Sequence, residues 1–569
     1  MAPGLKNKPS LANAATDSLS FTAARNNGLH EMSDNRFDYI IVGAGSAGCV
    51  LANRLTASGK HRVLLLEAGS RDWNPIIRVP IGEALTVGGS IDWKFKTEPE
   101  PNLCDRVVPL PRGKVLGGSS SINGQLYVRG HQLDYDEWSA MGCKGWSFNE
   151  VLPFFKRSEH WAGGPDAYRG GDGPLKTTFG RFRHPIYQAF LDAGKELNYP
   201  LTTDCNGADQ EGFSWTQYTQ THAFPLRCSS ATAYLHPAEN RQNLNLQTKA
   251  QVTRLLFDGV QCTGVEYMQA GRSVKAYCNA EVILSAGTYQ SPQILMLSGI
   301  GDADKLALHG IDTVSNLPSV GQNLTDHFGS MVQHRCKITA TYHSLRNPFR
   351  FLGALGQLLF ARSGPLSVFP MNAQAYLKTD PSLDRPDVKF YMFPVSVDNS
   401  ASEPRYASFN GYNIHWGVMR PFSKGVVELH SADPFTAPKV THNYLKDPRD
   451  IATHRAAFKI ARKIHNTQAF EQFRGAETDP GAAFQSDEDI DNYVRSISLP
   501  QYHPVGTCQM GKDKKSVVDP ELRVWGVKGL RIVDASIMPR LIGGNTNGPT
   551  IMIAEKASEM ILEGSKSRV

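Results

Sequence analysis

Long apolar runs, clustered cysteines, basic tracts and a leader-like N-terminus are all missing from this chain, and each absence excludes something. No stretch of about 18 apolar residues occurs, so no transmembrane helix is expected. The most apolar segment, Phe351 to Phe360, is too short to span a bilayer and reads as a buried or amphipathic helix rather than a membrane contact. The nine cysteines are odd in number, scattered, and nowhere spaced C-x-x-C. That argues against a disulfide framework and against zinc; no metal is expected, and a reducing compartment is the simplest reading. A net charge of +6 from 60 basic and 54 acidic residues, without a dense Lys/Arg run, gives no support to a nucleic-acid partner. It favours weak contact with an anionic surface at most. Residues 1–35 are rich in Ala, Ser and Asn and hold neither an apolar period nor the hydrophobic stretch of a secretory signal. They are expected to be a disordered extension, with Met32 an alternative start, in a protein that is cytoplasmic or peripheral to a membrane.

What is present is the composition of a soluble globular protein: 569 residues, 41% apolar and 20% charged, enough chain for about two to four domains. Phe37 to Val42 (FDYIIV) is a compact apolar run, as expected of a parallel strand buried on both faces. It opens into Gly43-Ala44-Gly45-Ser46-Ala47-Gly48 and a helical pattern through Leu55. Glycines there permit a tight reversal, close backbone approach to a pyrophosphate, and helix packing on the strand. A second apolar strand, Val63 to Leu66, ends in Glu67-Ala68, about twenty residues on, where a carboxylate can accept hydrogen bonds from ribose hydroxyls. An acid at that point favours FAD or NAD over NADP.

A second constellation, Arg112 to Gly124, packs Gly117, Gly118, Ser119, Asn123 and Gly124 into one loop that can lie along a cofactor with backbone donors exposed. Glu281 to Gly287 is another strand running into a glycine turn, through Ala286, followed by a helix to Leu297. Leu530 to Ala535 is a strand ending in Asp534 and Ala535. In this order the segments resemble a glucose–methanol–choline (GMC) flavoprotein oxidoreductase, over residues 37 to 564. Gly113 to Gly130 and Gly287 to Gly301 are similar to the two family signatures.

The resemblance implies an α/β fold: a discontinuous Rossmann-like FAD-binding domain, residues 36–155, 230–330 and 500–565, with an α+β substrate domain, 156–229 and 331–499, capping the flavin. It implies that Glu67 holds the adenosine ribose, that Val252 meets the adenine through its backbone, and that Gly117 to Asn123 run along pyrophosphate and flavin. Where some members attach FAD through a histidine this chain has Ile122, so FAD is expected to be noncovalent.

By the same resemblance His503, in a His-Pro-x-Gly-Thr motif, is the base that takes an alcohol's proton while hydride leaves for flavin N5. Asn545 is its partner on the substrate oxygen. Asn547, Asp534 and Ala535 are expected flavin contacts, and Pro549 suits the first turn of a helix whose N-terminus faces the flavin. Choline-specific relatives carry a glutamate where this chain has Asn372, which points away from choline toward a neutral primary alcohol as substrate, with O2 or a quinone- or dye-type carrier as acceptor. The alternatives are choline dehydrogenase proper, a hydroxynitrile lyase, a carboxylate photodecarboxylase, or a flavin-binding protein without activity; the last two are disfavoured by the presence of His503 and Asn545.

Overall fold

The computed structural model describes residues 35–399 and 405–566. The expected disordered extension lies outside the described residues, Asn35 excepted. Strand Arg36–Val42 stands at the centre of a parallel sheet. It pairs with Arg272–Leu284 on one side and Val63–Leu66 on the other; Leu530–Ile532 and Leu244–Gln247 add at the outer edges. Both faces are covered, which is why the central strands are continuously apolar instead of alternating. One cover is helix Ser46–Thr56, against which the C-terminal helix Asn547–Lys566 packs. The first half of Arg272–Leu284 runs on beyond the parallel core into an antiparallel meander with Gln261–Gln269 and Ala250–Asp258.

A second sheet is antiparallel, in the order Arg474–Asp479, Phe328–Cys336, Gly411–Val418, Val388–Phe393, Ala373–Leu377, Gly212–Trp215, with Leu499–Pro500 added beside Phe328–Cys336. Its strands alternate. Val388, Phe390, Met392, Ile414, Trp416 and Val418 join a core closed by helices Pro185–Glu196 and Pro448–His465. Lys389, Tyr391, Phe393, Asn413 and His415 face the other way, into a cavity shared with the parallel sheet. Only one face of this sheet is sealed with apolar groups, and the polar one is free to serve chemistry.

Two boundaries fall differently from the sequence expectations, and the apolar segment is the amphipathic helix expected. The hairpin Val426–Glu428 and Lys439–Thr441, grouped by sequence with the substrate domain, leans on the nucleotide side: Gln251 and Gln293 donate to the carbonyls of Pro434 (3.1 Å) and Thr436 (2.8 Å). Strand Phe328–Cys336 begins the antiparallel sheet slightly before the expected boundary at 330. Phe351 to Phe360 is helical through Pro348–Gly356 and Gln357–Ala361, yet only Ala354 and Leu358 of it are buried; Phe360 is 89% exposed. All nine cysteines are free, and among the described residues no group of His, Cys, Asp or Glu is arranged to hold a metal.

Candidate active site

A cavity of about 680 Å³ lies between the C-terminal ends of the parallel strands and the polar face of the antiparallel sheet. That is where open parallel sheets bind ligands, and the size suits a cofactor together with a small substrate.

The nucleotide end is built by close backbone approach. Gly43 has φ +99°, and a Cβ there would fall 2.5 Å from the Ser285 carbonyl oxygen; one on Gly118, φ +53°, would fall 2.8 Å from Gly45 Cα. Gly43, Gly45, Ser46 and Ala47 line the wall at the start of helix Ser46–Thr56, which has no side-chain cap and no acid in its first turn. Its free N–H groups therefore offer a site for an anion. Glu67 and Ala68 also line the wall, as does Val252. Glu67 accepts from the backbone N–H of Ala44 (2.9 Å) and Gly69 (2.8 Å). Burial pushes its carboxyl up to about 7, and those two N–H donors and Lys114 restrain the rise.

Arg112, Gly118, Ser119, Asn123 and Gly124 form a second wall. Arg112 donates to the Tyr502 carbonyl at 2.8 Å while its Nε, buried, has no protein partner. Asn123 Oδ1 accepts from Arg227 at 2.6 Å. Ala286, Gly287, Asp534 and Ala535 form a third. The Asp534 carboxylate is used within the protein: it accepts from Gly287 N–H (2.9 Å), Ser291 Oγ (2.6 Å) and Ser536 N–H (2.8 Å), so it holds the glycine turn. Three expected residues are not on the wall. Gly48 packs helix on strand, since a Cβ would meet the Gly43 carbonyl oxygen at 1.9 Å; Gly117 turns the loop at φ +85°; Pro549 sits inside the helix that begins at Asn547. Asn547 itself lines the cavity and accepts from Ser46 Oγ at 2.7 Å, joining the two helix N-termini. The glycine cradles, the uncapped helix start and the unpartnered Arg112 Nε and Ser285 Oγ on the wall fit the shape and charge of FAD.

At the other end stand His503 and Asn545, joined at 2.9 Å from Asn545 Nδ2 to His503 Nε2. Proton positions follow from a neighbour that sequence reasoning missed. His327 Nε2 lies 3.0 Å from two carbonyl oxygens, those of Met419 and Ile542, and must carry a hydrogen. Burial holds His327 neutral, far below the usual imidazole range, so its Nδ1 is an acceptor. His503 Nδ1, 3.0 Å away, is then the N–H donor, and His503 Nε2 carries its lone pair on the cavity side, where it accepts from Asn545 Nδ2. Burial first, then Lys389, His327 and Arg112, hold His503 far below its ordinary value, so it stands as a neutral base. Asp326 fixes its backbone through His503 N–H at 2.6 Å, and Tyr391 OH orients Asn545 through Oδ1 at 3.2 Å. Asn372 is not on the wall; its amide donates to the Phe182 carbonyl. His327, in the loop before Phe328–Cys336, carried no signal; Tyr391 and Lys389 carried no motif, and their one signal is the period-2 alternation of their strand.

The family profiles for GMC oxidoreductases match residues 37–329 and 421–554. The chain belongs to the GMC oxidoreductase family. Among curated relatives, mitochondrial choline dehydrogenase of Mus musculus is 42% identical over 93% of this chain and 89% of its own length. The oxygen-dependent choline dehydrogenase of Brucella anthropi is 42% identical over 92% and 95%. Among solved structures, pyridoxine 4-oxidase from Mesorbium loti superposes with a TM-score of 0.84 at 29% identity, covering 92% of this chain and 98% of that one. As a GMC oxidoreductase the protein is an FAD-dependent enzyme acting on CH–OH groups, and its mixed α/β architecture is that of its structural neighbours.

Proposed function

We propose that the protein oxidises a primary alcohol to an aldehyde, with His503 Nε2 as the base. The observation that supports this most is the histidine pair: His327 leaves His503 no tautomer but the one whose lone pair faces the cavity. The alcohol oxygen would lie between His503 Nε2 and Asn545 Nδ2, giving its proton to the first while the second donates to the developing alkoxide. FAD, held noncovalently by the cradles around Gly43 and Gly118, supplies the acceptor for the two electrons leaving the carbinol carbon. Ile122, at the position of attachment in some relatives, has only an alkyl side chain and forms no such bond.

The test is anaerobic mixing of the yellow protein with a panel of alcohols. Bleaching of the flavin band is expected, and in His503→Ala the flavin content should persist while reduction slows by about 10²–10⁴-fold. Equal rates in the variant would remove His503 from the reaction.

A specific observation also favours attachment to a membrane surface. Helix Pro348–Gly356 with its continuation exposes Phe349 (81%), Leu352 (61%) and Phe360 (89%), beside exposed Arg346 and Arg350, and residues 327–379 contain no acid. Its inner side packs on Ile81, next to the turn whose Glu83 and Val87 line the cavity. An anionic phospholipid surface matches both the apolar and the charged groups. Docked there, the enzyme would meet a membrane-borne, quinone-type electron acceptor at the rim of its own site.

A further inference from the structure

Lys389 is 0% exposed and lies on the cavity wall, and its Nζ has no hydrogen-bond partner. A buried ammonium ordinarily sits in an ion pair; without one, burial lowers Lys389 to about 7, and a bound anion would hold it protonated. Here no carboxylate is within ion-pair distance among the described residues. Asp326, the acid that acts on it through space, uses its oxygens on His503 N–H (2.6 Å) and Tyr444 OH (3.4 Å). Its aromatic neighbour is the Tyr391 ring, with its centroid 5.8 Å from Nζ.

The surroundings make a socket. Lys389 is paired across the sheet with Gly417, and Gly417 with Gly329. A Cβ on these glycines would fall 2.1 and 2.6 Å from Gln501 Nε2, so the missing side chains let the Gln501 amide lie flat on the sheet next to Lys389. Gln501 donates to the Trp416 carbonyl at 3.3 Å while its Oε1, also on the wall, is unpartnered. Two residues along the strand from Lys389, Tyr391 holds Asn545. One strand pleat, on the order of 7 Å, thus separates the ammonium's strand position from that of the residue orienting the hydroxyl site.

We propose that Lys389 anchors an anion on the substrate: the enzyme takes a short hydroxy acid, its carboxylate on Lys389 and its hydroxyl between His503 and Asn545. This rests on the alcohol-oxidising reading above and replaces the neutral alcohol expected from sequence with an anionic one. A quaternary ammonium substrate would bring a second cation against Lys389. Of the acids on the same wall, Glu67 lies at the nucleotide end, Asp534 is bonded within the protein, and Glu83 stands on the side of Arg227. Holding the anion at the far end of the substrate fixes which carbon faces the base, and burial strengthens that attraction relative to water.

The experiment uses the FAD-loaded enzyme and its Lys389→Met and Lys389→Arg variants. Non-reacting carboxylates, propionate and butyrate, are titrated while the flavin spectrum is followed, which reads binding without turnover. Binding should weaken at least tenfold in Lys389→Met and be largely kept in Lys389→Arg; equal binding in all three overturns the anchor. In parallel, 4-hydroxybutyrate, its methyl ester and choline are compared as anaerobic reductants. The wild type should prefer the acid over the ester by at least tenfold, and that ratio should collapse toward one in Lys389→Met. Preference for choline or for the ester in the wild type refutes the proposal with alcohol oxidation intact. Carboxylate binding that depends on Lys389, without bleaching by any alcohol, would sink the oxidation reading and leave the anion site standing.

Discussion

At the scale of single residues, the reactive centre depends on hydrogens placed by groups that do not touch the substrate. His327 is a positioning residue: its two carbonyl contacts set its tautomer, and its tautomer sets that of His503. His327→Leu should slow flavin reduction by roughly 10²-fold, the size of a general-base contribution largely lost. His327→Asn, whose amide can both donate to those carbonyls and accept from Nδ1–H, should recover part of the rate. Stopped-flow reduction at saturating alcohol checks this, and equal losses in the two variants would mean that His327 only fills space. Much of the site could be read in the sequence where chemistry and a local motif coincide, as in Gly43 to Gly48, Glu67, and His503 before Pro504. Lys389 and Tyr391 could not. In Val388–Phe393, Lys389 and Tyr391 alternate with Val388, Phe390 and Met392, the pattern of a strand with one face in water, and only the closure of the two sheets turns that face into the wall of a cavity.

At the scale of elements, the glycine turns, the parallel strands and the C-terminal helix were legible because each carries its own period and punctuation. The hairpin around Pro434 was not, because its position is decided by side chains from elsewhere, Gln251 and Gln293. The amphipathic helix Pro348–Gly356 was legible as a helix, while its outward apolar side depends on how little of the protein it meets. Phe349→Ser with Phe360→Ser should cut co-sedimentation with vesicles containing phosphatidylserine by about tenfold or more, without changing reduction by a soluble alcohol, since burying each aromatic in lipid is worth roughly 1.5–3 kcal/mol. Undiminished co-sedimentation of the double variant would remove this helix as the contact.

At the scale of the whole molecule, buried titratable groups set the response to acid. Six histidines, His327, His415, His442, His454, His465 and His503, are held neutral by burial with their values driven down, to about 4 for His415 and about 3 for His442 and His454. Unfolded, each takes a proton below about 6.5. Their contribution to stability is therefore present above that pH and is lost as pH falls, at up to about 1.4 kcal/mol per unit for each. Glu67, Glu83 and Asp326, raised to about 7 by burial, act in the opposite sense between their unfolded values and 7. Burial also raises Glu100, Asp387 and Asp479 and lowers His131, His160, His184 and His334; ten histidines outweigh six acids, so the Tm should fall as pH is lowered from 6.5 toward 4.5. Calorimetry across that range checks it, and a flat or rising Tm would contradict the balance.

The central strand Arg36–Val42 also governs how the chain must be made. Val63–Leu66 follows it at once, but its other neighbour, Arg272–Leu284, leaves the ribosome some 230 residues later, roughly 10–50 s at ordinary elongation rates. For that interval a largely apolar central strand has an open edge, the kind that recruits other chains. The bond between Ser46 and Asn547 cannot close until the final helix appears, so a nascent chain carries the glycine cradle before the helix that braces it.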